Sequence, residues 1–441
     1  MPSAESTSLG VKAAAEAIRT GAVSPVDLVE ACIAKIRAHD GELKAWAHVD
    51  AAGAFATARE REAEARAGRL RGALHGVPVG VKDIFDVAGM PTTGGARAFA
   101  HTRPTVDAAA VARIRAAGAI VIGKTVTTEF AYRDPAPTRN PWNLDHTPGG
   151  SSAGSAASVA ARMLPAALGS QTVGSVLRPA AYCGVVGFKG THGLVPVAGV
   201  IPLAWSLDHV GVLTRSVDDA ALVMSVMAGG ELAQGALTAP RLAIAPELSA
   251  RASRESAAHL EAIADALARA GATVSKIELP ASFRELAAAG LTVLEAEAAA
   301  YHEPAFARHA ADYSPEMRNL VEAGLRVSAT AYVRANRARL AFRDDVIPLL
   351  AAHDALLSPT APTPAPAGLG STGDGSLCAP WSNAGVPAIT LPSGIASSGL
   401  PHAIQLVQAP SAESRLFAVA AWCERVLAFT QAPPSSAPAR A

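Results

Sequence analysis

Apolar residues at Leu28, Cys32 and Ile36 recur every four positions, which predicts a helix in the segment opening at Pro25. The charged stretch Thr57 to Ala67 predicts a second helix, and the two form a surface layer within residues 1–68. The period then changes. Val77, Val79 and Val81 alternate as on a strand within Leu74 to Val87, and Asp107 to Ala117 returns to helical spacing before the apolar run Ala119-Ile120-Val121-Ile122. The same unit of helix, glycine stop and buried strand recurs further on. Leu260, Ile263, Ala264 and Leu267 share one face of Ser256 to Ala270, Gly271 follows the helix, and Ala272 to Leu279 is extended. Ser282 to His353 is mostly helical until the proline-rich run Ser358 to Pro366 ends it, ahead of the apolar segment Pro387 to Pro392.

These units predict an α/β fold: a single large domain over residues 1–432, with a mixed, mainly parallel central β-sheet covered by helices on both faces. Residues 70–215 would form its core region, 240–425 the remainder of the sheet and helices, and 433–441 a disordered tail.

Composition narrows the ligands more than the fold. With 441 residues, half of them hydrophobic and 17% charged, the chain can bury a large core. Lys plus Arg equal Asp plus Glu at 38 each, so no net field draws in nucleic acid or an anionic membrane, and small, locally recognised ligands fit better. Met1 to Glu5 lacks a basic segment leading into an apolar one, and the uncharged stretch Gly375 to Ala412 is broken by proline, glycine and serine. The expectation is a soluble cytoplasmic protein. Cys32, Cys183, Cys378 and Cys423 form no CxxC pair, so they are expected as reduced structural thiols rather than zinc ligands or disulfides.

The chemistry concentrates in two serine-bearing, glycine-rich runs. Gly149-Gly150-Ser151-Ser152-Ala153-Gly154-Ser155 and Gln171-Thr172-Val173-Gly174-Ser175-Val176-Leu177-Arg178-Pro179 place Ser151 and Ser175 a short out-and-back path apart. The alanine-rich Ser152 to Met163 predicts a helix advancing about 18 Å, and Ala166 to Gln171 an extended return of about 20 Å. Glycines beside each serine allow tight turns and leave amides free to face a ligand. A plain glycine-serine helix cap is an alternative for the first run, and no Gly-Lys-Ser/Thr follows to make it a phosphate loop. Gly150-Ser151-Ser152-Ala153-Gly154 also matches the G-x-S-x-G nucleophile elbow, but the polar loop Asn143 to Pro148 precedes it where an elbow needs a strand. His192, His209 and His402 are available as bases, none in a telling context. Lys82, in Gly80-Val81-Lys82-Asp83, is either a buried base or a strand lysine paired with Asp83 or Asp86.

These two runs, together with Gly76-Val77-Pro78-Val79-Gly80-Val81-Lys82-Asp83, resemble the amidase signature family, and the likeness runs on through Tyr182 to Lys189 to Asn383 to Pro387 and Gly399 to Pro401. Within the family, the Gln-Thr-x-Gly-Ser-x-x-Arg-Pro form and Arg133-Asp134-Pro135 are most similar to malonamidases and related small-molecule amidases. The chain departs from the family at Val173, where a glycine is usual, at Lys189-Gly190-Thr191 and at Ala403-Ile404.

The resemblance implies a Ser/cis-Ser/Lys triad: Ser175 as nucleophile, Ser151 after a cis peptide as proton relay, and Lys82 as base. It implies an oxyanion hole from the amides of Thr172, Val173, Gly174 and Ser175, and pocket positions at Arg178, Gln171, Thr128, Tyr132 and Trp205. At Arg178, a substrate carboxylate and a purely structural tie stay equally open. The implied reaction forms an acyl-enzyme on Ser175, releases ammonia or an amine and needs no cofactor or metal. The implied partner is a small-molecule amide, with a homodimer as assembly. A free-standing amidase acting on a small linear amide leads, with a carboxylate-bearing substrate such as a malonamate as one form of it. The alternatives are an aryl-amide or carbamate hydrolase, an inactive binding protein and an amidotransferase A-type subunit.

Overall fold

A computed structural model describes residues 6–232, 235 and 237–434. Most of the tail expected at 433–441 therefore lies outside the described residues. Eleven strands form one sheet: β1 Trp46–Val49, β2 Pro78–Lys82, β3 Ile120–Thr125, β4 Ala166–Gln171, β5 Val186–Lys189 and β6 His209–Thr214, then β7 Arg241–Ile244, β8 Thr273–Lys276, β9 Ala355–Pro359, β10 Ala388–Ile395 and β11 Pro401–Val407. Their order is β1-β3-β2-β4-β6-β5-β10-β11-β9-β7-β8. The sheet is mixed. Parallel pairs gather in two blocks, β3-β2-β4 and β9-β7-β8, and antiparallel pairs join them through the centre.

Strand periodicity divides the core. Val121 and Leu168 pack into one buried cluster while their neighbours Ile120, Ile122 and Ala167 pack into another. Successive side chains point to opposite faces, so both faces of the sheet are covered. The helices Ala109–Ala116, Val217–Ala228, Arg254–Arg269 and Glu413–Leu427 line the first face; Pro25–Leu43, Ala51–Arg66 and Ala153–Ala160 line the second.

The periodic elements match expectation. Leu28, Cys32 and Ile36 are buried on Pro25–Leu43, and Leu260, Ile263, Ala264 and Leu267 on Arg254–Arg269, after which Gly271 has φ +113°. The region 282–353 resolves into Leu286–His309, Pro315–Gly324 and Ala329–Ala351. One helix is shorter than the alanine-rich sequence suggests: Ala153–Ala160 stops before Met163. Arg162 takes a left-handed φ of 55°, and the amides of Arg162 and Met163 donate to the carbonyls of Val159 and Ser158. This Schellman closure ends the helix without a glycine.

All four cysteines are free and buried. Among the described residues no helix is long and apolar enough to cross a membrane.

Candidate active site

Lys82 is the last residue of β2, and its side chain is fully buried. Its Nζ donates to Ser151 Oγ at 2.6 Å and to Ser170 Oγ at 2.7 Å. Burial pushes its pKa well below 10.5, because the ammonium loses its hydration while the neutral amine does not. The pairing with Asp83 or Asp86 is not what forms. Asp83 accepts instead from Lys124 Nζ at 2.8 Å, both side chains being buried. Breaking that pair by Asp83→Ala is expected to destabilise the fold by about 3–5 kcal/mol, read as a lowered urea midpoint, since Lys124 would be left without its counter-charge.

Ser151 is delivered by a bend that glycine makes possible. Gly149 has φ +82°, and a Cβ there would lie 2.9 Å from Pro179 Cα. The Gly150-Ser151 peptide is cis, as the resemblance implied. Arg178 Nη2 donates to the Gly150 carbonyl at 2.7 Å, and the Thr128 amide donates to the Ser151 carbonyl at 3.3 Å.

The out-and-back path closes on itself. From Ser152 the helix Ala153–Ala160 leads away and β4 returns; the Ser152 amide then donates to the Ser175 carbonyl at 3.2 Å. Ser152 Oγ also accepts from the Ser170 amide at 3.3 Å. Both serine runs are thereby laced together beside Lys82.

Thr172 to Ser175 form the turn between β4 and the helix Leu177–Cys183. Gln171 shapes it from below: its Oε1 accepts from the amides of Val176 and Leu177, and its Nε2 donates to Ser382 Oγ, which in turn donates to the Val173 carbonyl. The first amides of the helix are thus taken by Gln171. Those of Val173, Gly174 and Ser175 donate to no acceptor among the described residues. Such a row of free N–H groups is what a developing oxyanion needs. Ser175 itself is buried, with 6% of its surface exposed.

The pocket positions separate into different surroundings. Gln171 is fully buried with its polar atoms engaged in the turn. Arg178 is buried too; Nη1 donates to the Gly373 carbonyl at 2.7 Å, Nη2 holds Gly150, and Nε is buried without a partner among the described residues. Thr128 is buried and bonds the Tyr132 carbonyl at 2.8 Å. Tyr132 and Val173 pack against one apolar cluster containing Phe130 and Leu203. Trp205 stands apart at 46% exposed, edge-on to Tyr301.

The three histidines are engaged elsewhere. His209 Nδ1 faces the carbonyls of Leu207 and Gln171, His192 Nε2 the Trp205 carbonyl, and the His402 ring stacks on His259. No strand leads into Ser151, so the nucleophile elbow is absent. Two site residues went unread in the sequence: Ser170, the second hydroxyl on Lys82, and Asp208, which accepts from Thr172 Oγ1 at 2.6 Å. Ser170 carried a signal, since its hydroxyl falls in the same run, Gly169 to Ala181, as the serine Ser175.

This site on this fold defines an enzyme that hydrolyses amide C–N bonds. The chain belongs to the amidase signature family: the profile described as Amidase matches residues 27–417. It is 37% identical to the glutamyl-tRNA(Gln) amidotransferase A subunit of Anaeromyxobacter sp. (strain K), over 98% of this chain and 99% of that one. It is 34% identical to an amidase of Pseudomonas putida, over 90% and 91% of the two chains. Among solved structures, the native peptide amidase from Stenotrophomonas maltophilia superposes with a TM-score of 0.83 at 30% identity, covering 97% of this chain and 99% of that one.

Proposed function

We propose that the chain is a free-standing amidase that hydrolyses a small linear amide through an acyl-enzyme on Ser175. The observation that carries this is the buried contact of Lys82 Nζ with Ser151 Oγ at 2.6 Å. A neutral Lys82 takes the Ser151 proton while Ser151 takes that of Ser175, and Ser175 Oγ attacks the amide carbon. The oxyanion then lies against the amides of the 172–175 turn. Collapse of the tetrahedral species breaks the C–N bond, and the relay returns its proton to the departing nitrogen. Water repeats the sequence on the ester and frees Ser175.

A carboxylate-bearing amide is the preferred substrate in this reading. The buried, unpartnered Nε of Arg178 supports it, and the two carbonyls already held by its amino groups favour the competing role as a brace. Ammonia or amine release from malonamate, neutral aliphatic amides, anilides and carbamates separates the two. Arg178→Ala is expected to lower kcat/KM on neutral amides by about 10- to 100-fold, because the Gly150 carbonyl loses a charged donor. A further, selective loss on malonamate identifies direct contact with the carboxylate; equal loss on all substrates, or dominance of anilides or carbamates, rejects that preference.

The 37% identity to an amidotransferase A-type chain favours one other reading, that of a component working with partner chains. Turnover by the purified chain alone supports the free-standing amidase, and activity that appears only with partners supports the amidotransferase component. We also propose a homodimer, which light scattering of the purified protein decides.

A further inference from the structure

A small cavity lies beside Ser170, one of the two hydroxyls that hold Lys82, lined by Ser170, Thr172, Asp208 and His209 with the apolar Ile84 and Val210. Three donors converge on the Asp208 carboxylate: Thr172 Oγ1 on Oδ1 at 2.6 Å, and the amides of Leu203 and Ala204 on Oδ2 at 2.9 and 3.1 Å. One buried carboxylate thus ties the first residue of the amide turn to the loop that carries Trp205. Ser170 on β4 and Thr172 just beyond its end both line the cavity, and Ser170 accepts a hydrogen bond from Lys82. Ser170, which lines the cavity together with Asp208, therefore connects the carboxylate's surroundings to the lysine.

The charges around it are few. Lys82 approaches from β2, and the field of Asp208 favours its protonated form. The adjoining His209 on β6 is held neutral by burial, and Lys189 on β5 acts on that ring while donating to the Val386 carbonyl. Burial pushes Asp208 itself up to about 6, partly offset by Thr172, the two amides and Lys82, so the carboxylate is charged above that pH.

We propose that Asp208 is a positioning residue with two tasks: through Thr172 it holds the amide turn against the reacting carbonyl, and through its charge it decides the pH at which Lys82 becomes a free base. This rests on Lys82 being the base, as proposed above. Asn at position 208 keeps the shape but removes the charge, and its amide group would meet donors where the carboxylate accepted them. Valine at 172 removes the bond to Asp208, and serine restores it.

The test is the pH profile of kcat and KM for wild type, Asp208→Asn, Thr172→Val and Thr172→Ser, each checked for folding by circular dichroism. In Asp208→Asn the acid limb of kcat/KM is expected to move to lower pH by about one unit, with kcat down about 10- to 100-fold. Thr172→Val is expected to lower kcat to a similar degree with KM nearly unchanged, and Thr172→Ser to recover it. An Asp208→Asn limb coincident with wild type, or a Thr172→Val enzyme with wild-type kcat, overturns the proposal. Should Asp208→Asn not fold, the threonine pair decides alone. A wild-type profile with no acid limb counts instead against Lys82 as the base, and leaves the threonine pair to judge the brace.

Discussion

Ser175→Ala is expected to lower kcat/KM by about 10⁴-fold or more and to abolish labelling by a fluorophosphonate probe. No neighbouring hydroxyl can replace the lost nucleophile. Ser151 and Ser170 are both held by Lys82, at 2.6 and 2.7 Å, and Ser152 Oγ is bonded to the backbone of Ser170. The turn should survive the change, because it is built by Gln171 and by the Ser152 amide on the Ser175 carbonyl, neither of which uses the Ser175 side chain. Residual rate above the uncatalysed reaction would come from the free amides of the turn. Retained labelling or turnover in this variant rejects Ser175 as the nucleophile.

Lys82→Met is expected to separate activity from stability. Methionine has nearly the same length and no charge to desolvate, so the melting temperature should hold or rise, while kcat/KM falls about 10²- to 10⁴-fold for want of a base. The pH profile carries the signature. In the wild type, kcat/KM should rise as Lys82 loses its proton, with an apparent pKa well below 10.5. That limb should vanish in Lys82→Met. Stability follows the same group with a defined sign: as pH falls from 10.5 toward the lowered value in the fold, the unfolded chain binds a proton that the native lysine does not, and stability drops. The methionine variant should lack that contribution. Denaturant midpoints measured across pH for both proteins check it, and parallel curves would mean that Lys82 is charged in the fold.

The periodic helices and buried strands were legible because their signal is local. Leu260, Ile263, Ala264 and Leu267 needed only one helix to declare a common face, and Ala166–Gln171 only the helix break that Pro165 makes ahead of it. The serine runs and Lys82 were legible by their resemblance to a family. The end of the helix after Ser152 was not, because a left-handed Arg162 replaces the glycine that usually announces a stop.

Residue types and spacing along the chain were enough to place a lysine on a valine-rich strand and two serines in glycine-rich turns, since each depends on neighbours a few positions away. Partner choice was not local. That Lys82 bonds Ser151 and Ser170 while Asp83 goes to Lys124 follows from β2 lying between β3 and β4 in the sheet. The inward turn of Gln171, the two carbonyls held by Arg178 and the place of Asp208 behind Thr172 likewise join segments tens to hundreds of residues apart. Burial makes these pairings selective, because a polar group removed from water must find a partner among whatever atoms the fold brings within reach.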